Sequence, residues 1–188
     1  MNELIQKGKE FAFKAHDGQT RKTSGAPYIV HPLHVAKILQ DAGFSAEVVV
    51  SGFLHDIVED TDIKIEDIRR EFGNVIAELV AFNTEDKEGT WEERKEHTIK
   101  QLKGAILNKK ALVVADKYAN LLELMRNYEK LGDEIWKCFK RGKKQQYWYF
   151  AGVAKSGKVN LFPEEIPSFF HEYEAAVELF FNMERMKS

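Results

Sequence analysis

Cysteine is nearly missing from this 188-residue chain: Cys138 stands alone, so no internal disulfide can form. That usage fits a reducing compartment, and a cytoplasmic protein is the expectation. Proline is scarce too, and Pro27, Pro32, Pro163 and Pro167 all stand in loops or at helix starts. No charge of one sign prevails. The formal net charge is −2, so no global positive field recruits nucleic acid or an anionic membrane. No apolar run approaches the roughly 20 residues of a membrane span. The first residues, Met1 to Lys7, carry charge where a signal peptide has its apolar core. What remains reads as a soluble protein, with 44% hydrophobic residues and one domain over residues 1–188.

Helical patterning runs nearly throughout, which makes the expected fold all-α. Residues 2–16 form an amphipathic helix. A loop follows from Asp17 to Tyr28, broken by Gly18, Gly25 and Pro27. Pro32 lies just inside the next helix, which stops near Gly43. Ser45 is placed to cap a helix that carries His55 and Asp56. Ile65 to Gly73 is a short helix, and residues 74–84 form another. Thr90 and Glu93 make a capping box for a helix to about Leu107. The next spans roughly 109–129, and the last starts after Pro163 or Pro167 and ends near Met186. Strand alternation, internal repeats, low-complexity tracts and a linker between domains are all missing.

The stretch Phe53-Leu54-His55-Asp56-Ile57-Val58-Glu59-Asp60-Thr61 carries the chemistry. An adjacent imidazole and carboxylate close an apolar run, and charged groups are rarely buried unless paired or bound to metal. Helical spacing puts Glu59 one turn beyond His55 and Asp60 one turn beyond Asp56. One tier could hold a metal and the other could handle protons. His31, at the mouth of a helix, and Asp116, emerging from Leu112-Val113-Val114-Ala115, offer matching ligands, with Asn120 on the Asp116 face. Two imidazoles and two carboxylates suit Mn²⁺, Fe²⁺ or Zn²⁺ and lack the thiolates of a closed structural zinc site.

Taken with Gly18-Gln19-Thr20-Arg21-Lys22, Pro27-Tyr28-Ile29-Val30-His31-Pro32 and Ala115-Asp116-Lys117-Tyr118-Ala119-Asn120, this pattern resembles the HD-domain metal phosphohydrolases. The likeness is strongest to the hydrolase domain of RelA/SpoT-type alarmone enzymes and their small stand-alone relatives. It implies an HD-type helical fold with Mn²⁺ held by His31, His55, Asp56 and Asp116. It further implies that Glu59 and Asp60 act on the hydrolytic water, while Arg21 and Asn120 contact the substrate. Lys22 is a further candidate base for the substrate, as are Lys117, Lys140, Arg141 and Lys143.

The activity so implied removes the 3′-pyrophosphate of guanosine 3′,5′-bis(diphosphate), abbreviated ppGpp, a small nucleotide. Two other readings keep the same site: a nucleotide or dinucleotide phosphatase, such as one acting on the 2′-phosphate of NADPH, and a nucleotide-binding sensor without turnover. The chain departs from the family pattern at Thr23, Ala26, residues 82–87 and residues 91–95, and these differences bear on substrate specificity rather than on the metal site. His16, His34, His97 and His171 read as structural or surface residues. Tyr147-Trp148-Tyr149-Phe150 reads as core packing, and Lys140 to Lys144 as a solvated helix end.

Overall fold

The computed structural model describes residues 2–182. The chain runs through α1 (Glu3–Ala15), α2 (Val30–Asp41), α3 (Ala46–Leu54), α4 (Ile57–Asp60), α5 (Ile65–Phe72) and α6 (Asn74–Asn83). It continues through α7 (Trp91–Gly104), α8 (Leu107–Leu131), α9 (Lys143–Gly157) and α10 (Ser168–Asn182). Short 3₁₀ segments occupy Gly132–Cys138 and Pro163–Glu165. The expected all-α class is what the described residues adopt, with Thr20 and Pro27 meeting in an isolated antiparallel bridge.

Local signals account for several boundaries. Asn2 Oδ1 accepts the Leu4 N–H at 3.0 Å and starts α1. Gly43, at φ +78°, takes the left-handed turn that follows α2. The Thr90–Glu93 capping box opens α7 as expected. Ser45 does occupy the position before α3, but its hydroxyl makes no capping bond. The expected end of the last helix near Met186 lies outside the described residues.

One expectation needs correction. The helix through Val48 to Leu54 does not continue through Asp60: α3 stops at Leu54, and His55 and Asp56 form a turn before the four-residue α4. The backbone stays close to helical there, and the Asp60 N–H still bonds the Asp56 carbonyl at 3.0 Å. The break sets His55 and Asp56 at the buried end of α3.

That helix is central. Every residue of α3 from Val48 to Leu54 is buried, as befits a helix that is apolar all round. It packs against α1, α2, α6 and α8. Helix α8 is the second axis, touching α2, α3, α6, α9 and α10. His31 stands at the start of α2, His55 and Asp56 at the end of α3, and Asp116 halfway along α8. Packing of α2, α3 and α8 therefore brings three remote sequence segments to one point. Gly52 makes the closest part of that packing, since a Cβ there would lie 3.0 Å from the Ala36 Cα and 3.1 Å from the Ala36 N. A Gly52→Ala substitution is expected to lose about 1–3 kcal/mol of stability by overpacking, measured by chemical denaturation. A variant as stable as the parent would show that α2 and α3 can separate freely.

Candidate metal centre

The two imidazoles meet edge to face, with ring centroids 5.0 Å apart. His31 Nε2 lies 3.1 Å from His55 Nε2 and 3.1 Å from Asp116 Oδ1. His55 Nδ1 sits 2.8 Å from the Gly52 carbonyl, an acceptor, so Nδ1 carries the proton. In the neutral ring that leaves the Nε2 lone pair facing His31. His31, His55 and Asp116 are all buried, and their ligand atoms lie within 4.8 Å of one another. Asp56 flanks this trio: Oδ1 is 3.1 Å from His55 Nε2, and Oδ2 is 3.6 Å from His31 Nε2.

Two nitrogen donors and two carboxylates converging out of water form a set that a divalent cation reconciles. These residues fit the metal that the sequence implies. Burial pushes the His31 imidazole below its ordinary pKa, favouring the neutral, ligating form. Burial would lower His55 as well, but the Asp56 and Asp116 carboxylates outweigh it and raise that ring well above its usual value. Asp116 stays ionised despite burial because Lys117 and both imidazoles hold it well below the carboxylate range. Lys117 Nζ donates to Asp116 Oδ2 at 2.5 Å.

Glu59 and Asp60 line a polar cavity of about 240 Å³ with Asp56, Asp116, Arg21, Tyr28, Lys95, Lys117 and Asn120. Glu59 Oε1 accepts the Glu85 N–H at 2.6 Å, which fixes its carboxylate. Burial pushes its pKa up. Tyr28, quoted in the sequence motif but given no role there, is the second carboxylate's partner. Its hydroxyl lies 2.6 Å from Asp60 Oδ2 and 2.7 Å from Asp56 Oδ2, so its single proton can serve either acid. Buried His16 stacks on the Tyr28 ring at 4.7 Å and supports it.

Arg21 reaches the cavity, though not as a free fork. Its Nη2 donates to Glu123 Oε2 at 2.6 Å and to Asn120 Oδ1 at 2.9 Å. Asn120 Nδ2 in turn donates to Asp116 Oδ1 at 2.7 Å. A chain of bonds thus runs from Glu123 through Arg21 and Asn120 to the His/Asp cluster. The hydroxyls of Thr23 and Ser24 also donate to Glu123. Lys22, by contrast, is exposed and stands outside the polar cavity. An adjoining cavity of about 290 Å³ is lined by Trp91, Phe139, Tyr149 and Phe150, together with Lys140. Arg141 points away and pairs with Glu92 at 2.6 Å, and Lys143 lines neither cavity.

Sequence reasoning missed Glu123, Glu85 and Lys95. Glu123 lies three residues after Asn120 and shares its helical face, a signal that was available. Nothing local points to Glu85 or Lys95, which reach the cavity only through the packing of α7 and the loop before it.

The HD-domain family profile matches residues 9–149. The chain belongs to the HD-domain family. Human MESH1, a guanosine-3′,5′-bis(diphosphate) 3′-pyrophosphohydrolase, is 39% identical over 120 residues, 62% of this chain and 67% of that protein. A probable enzyme of the same activity from Synechocystis sp. is 39% identical over 133 residues, covering 70% of this chain. The match spans only 17% of that relative's length. The crystal structure of lmo0812 from Listeria monocytogenes is 49% identical, with a TM-score of 0.78 over 81% of this chain and 99% of that one. A metazoan ortholog of SpoT shares the fold, with a TM-score of 0.78 over 95% of each chain at 23% identity. Family membership and the buried His/Asp cluster together imply a divalent metal.

Two outcomes follow from the geometry. A divalent ion should raise the Tm of the chelated wild-type protein by linkage, and Asp116→Ala should lose that response in a thermal-melt titration. The Arg21 guanidinium holds Glu123 below the usual carboxylate range against the opposing effect of burial. The stability so contributed is complete above the unfolded pKa of about 4.3 and is lost as pH falls through the depressed folded value. The stability gap between wild type and Glu123→Gln should therefore narrow below about pH 4, and a constant gap would show that the pair contributes nothing.

Proposed function

We propose that this chain is a metal-dependent phosphohydrolase that removes the 3′-pyrophosphate of ppGpp. The observation that carries this reading is the convergence of His31, His55, Asp56 and Asp116 beneath a cavity rimmed by both carboxylates and cations. The likeness to human MESH1, most of whose length it matches, supports the choice of substrate. Mn²⁺ is the ion proposed from the mixed nitrogen and oxygen ligands, with Fe²⁺ and Zn²⁺ as alternatives. When bound, such an ion lowers the pKa of water and withdraws charge from a phosphoryl oxygen.

The protein's own groups do the rest. Water attacks the phosphorus bonded to the 3′ oxygen, the bond between them breaks, and the 3′ oxygen leaves with a proton. The products are GDP and pyrophosphate. Glu59, fixed by the Glu85 N–H, is placed to take the proton from the attacking water. Asp60, held through Tyr28, orients that water from the other side. Arg21 carries the planar fork suited to phosphate oxygens, and Glu123 and Asn120 keep it extended toward the cavity. Lys22, exposed beside Arg21, is positioned for the part of the nucleotide outside the cavity.

Product analysis after incubating the Mn²⁺-loaded protein with ppGpp tests the reading. GDP and pyrophosphate are expected in equal amounts, and Asp56→Ala should show neither turnover nor bound metal. Glu59→Gln should keep its metal and lose about 10²- to 10⁴-fold in kcat, the contribution of a positioned base. Orthophosphate released from NADPH, with ppGpp untouched, would instead favour the dinucleotide phosphatase.

A further inference from the structure

Helix α9 packs on both α7 and α8 and offers Tyr149 to the cavity between them. Two ammonium groups converge on that ring. Lys95 Nζ, from α7, lies 4.9 Å from its centroid, and Lys117 Nζ, from α8, lies 5.9 Å from it. Both side chains are mostly buried, at 17% and 19% exposure, which is unusual for lysine and calls for partners. Each has one carboxylate: Glu85 for Lys95, at 2.9 and 3.1 Å, and Asp116 for Lys117. An ammonium carries three donors, so each retains capacity for another oxygen.

We propose that Lys95 and Lys117 form a clamp for the distal phosphate of a diphosphate group, making the site selective for diphosphates over monophosphates. The assignment rests on the phosphohydrolase reading above and adds what distinguishes one phosphate ester from another.

The order of the groups supports it. Asp116 turns Oδ1 toward the two imidazoles and Oδ2 toward Lys117. Lys117 is thus one carboxylate away from the metal centre, whereas Lys95 bonds Glu85 and shares the Tyr149 ring with Lys117. A single phosphoryl group seated at the metal comes near Lys117. Lys95, whose carboxylate partner Glu85 is not one of the proposed metal ligands, is the group assigned to a second phosphoryl linked to the first. Charge balance agrees. The polar cavity is lined by three cations, Arg21, Lys95 and Lys117, against five carboxylates, Asp56, Glu59, Asp60, Glu85 and Asp116. A divalent ion cancels that excess, and the lysines supply positive potential on the side away from it. Burial, followed by the nearness of Lys117, holds Lys95 below its ordinary pKa. The two like charges are held together at a cost that a bound anion relieves.

Lys95 also belongs to the catalytic architecture. The Glu85 carboxylate that it grips sits on the residue whose backbone N–H holds Glu59. An anion on Lys95 is therefore linked through Glu85 to the base that acts on water.

Calorimetry on the metal-loaded 188-residue protein tests the clamp, with inorganic pyrophosphate and orthophosphate as probes. The wild type is expected to bind pyrophosphate more tightly than orthophosphate. Lys95→Gln should weaken pyrophosphate binding about 10- to 100-fold, as expected for a lost hydrogen bond to a charged group. Its orthophosphate affinity and metal content should stay unchanged, and Lys95→Arg should restore most of the loss. Equal affinity of the wild type for the two anions would overturn the proposal without recourse to any variant. So would Lys95→Gln protein that retains the full preference, or that loses both anions alike. Turnover of ppGpp is read separately. A protein inert toward ppGpp that still prefers pyrophosphate through Lys95 keeps the clamp and discards that substrate. One that hydrolyses ppGpp with no Lys95-dependent preference does the reverse.

Discussion

Two imidazole nitrogens facing each other at 3.1 Å, out of water and beside two carboxylates, are the constraint around which this protein is arranged. Each group is costly to bury alone. Together they make a strong field with a place for a cation, and the surrounding helices exist in positions that keep them converged. The Gly52 carbonyl fixes the tautomer of His55. The absence of a side chain at Gly52 lets α2 approach closely enough to bring His31 within reach. One residue therefore sets both the proton on one imidazole and the distance to the other.

Around that centre, groups are held in pairs. Glu59 is fixed by a backbone N–H, Asp60 by a phenol, Asp116 by Lys117 and Asn120, and Arg21 by Glu123. Such bonding holds the groups of the proposed site in place beforehand, which leaves little reorganisation for the reaction proposed. It also sets a threshold. In the proposed function an incoming phosphate competes with Glu123 for Arg21 and with Glu85 for Lys95, which favours a highly charged ligand. With five carboxylates lining the cavity, the polyanionic substrate proposed above calls for a cation beside it.

How far the sequence went follows from which interactions are local. His55 and Asp56 at the end of an apolar run, and Asp116 emerging from another, were visible because polar groups interrupt buried stretches there. Capping at Thr90 and the stop at Gly43 were equally local. The break after Leu54 was not, since His55 and Asp56 keep nearly helical dihedrals and periodicity alone reads straight through them. The engagement of Arg21 was hidden as well: its partner is about a hundred positions away on α8. Lys95 and Glu85 come from the segment where the chain departs from the family pattern, and only the packing of α7 and α9 on α8 discloses their place. Lys22, adjacent to Arg21 in sequence, is exposed and does not line the polar cavity.

The central claim is that His31, His55, Asp56 and Asp116 share one ion, and anomalous diffraction from crystals soaked in Mn²⁺ tests it most directly. A single strong peak within ligand distance of both Nε2 atoms and of both carboxylates is the predicted result. A peak elsewhere, or none at concentrations that support turnover, would contradict the account.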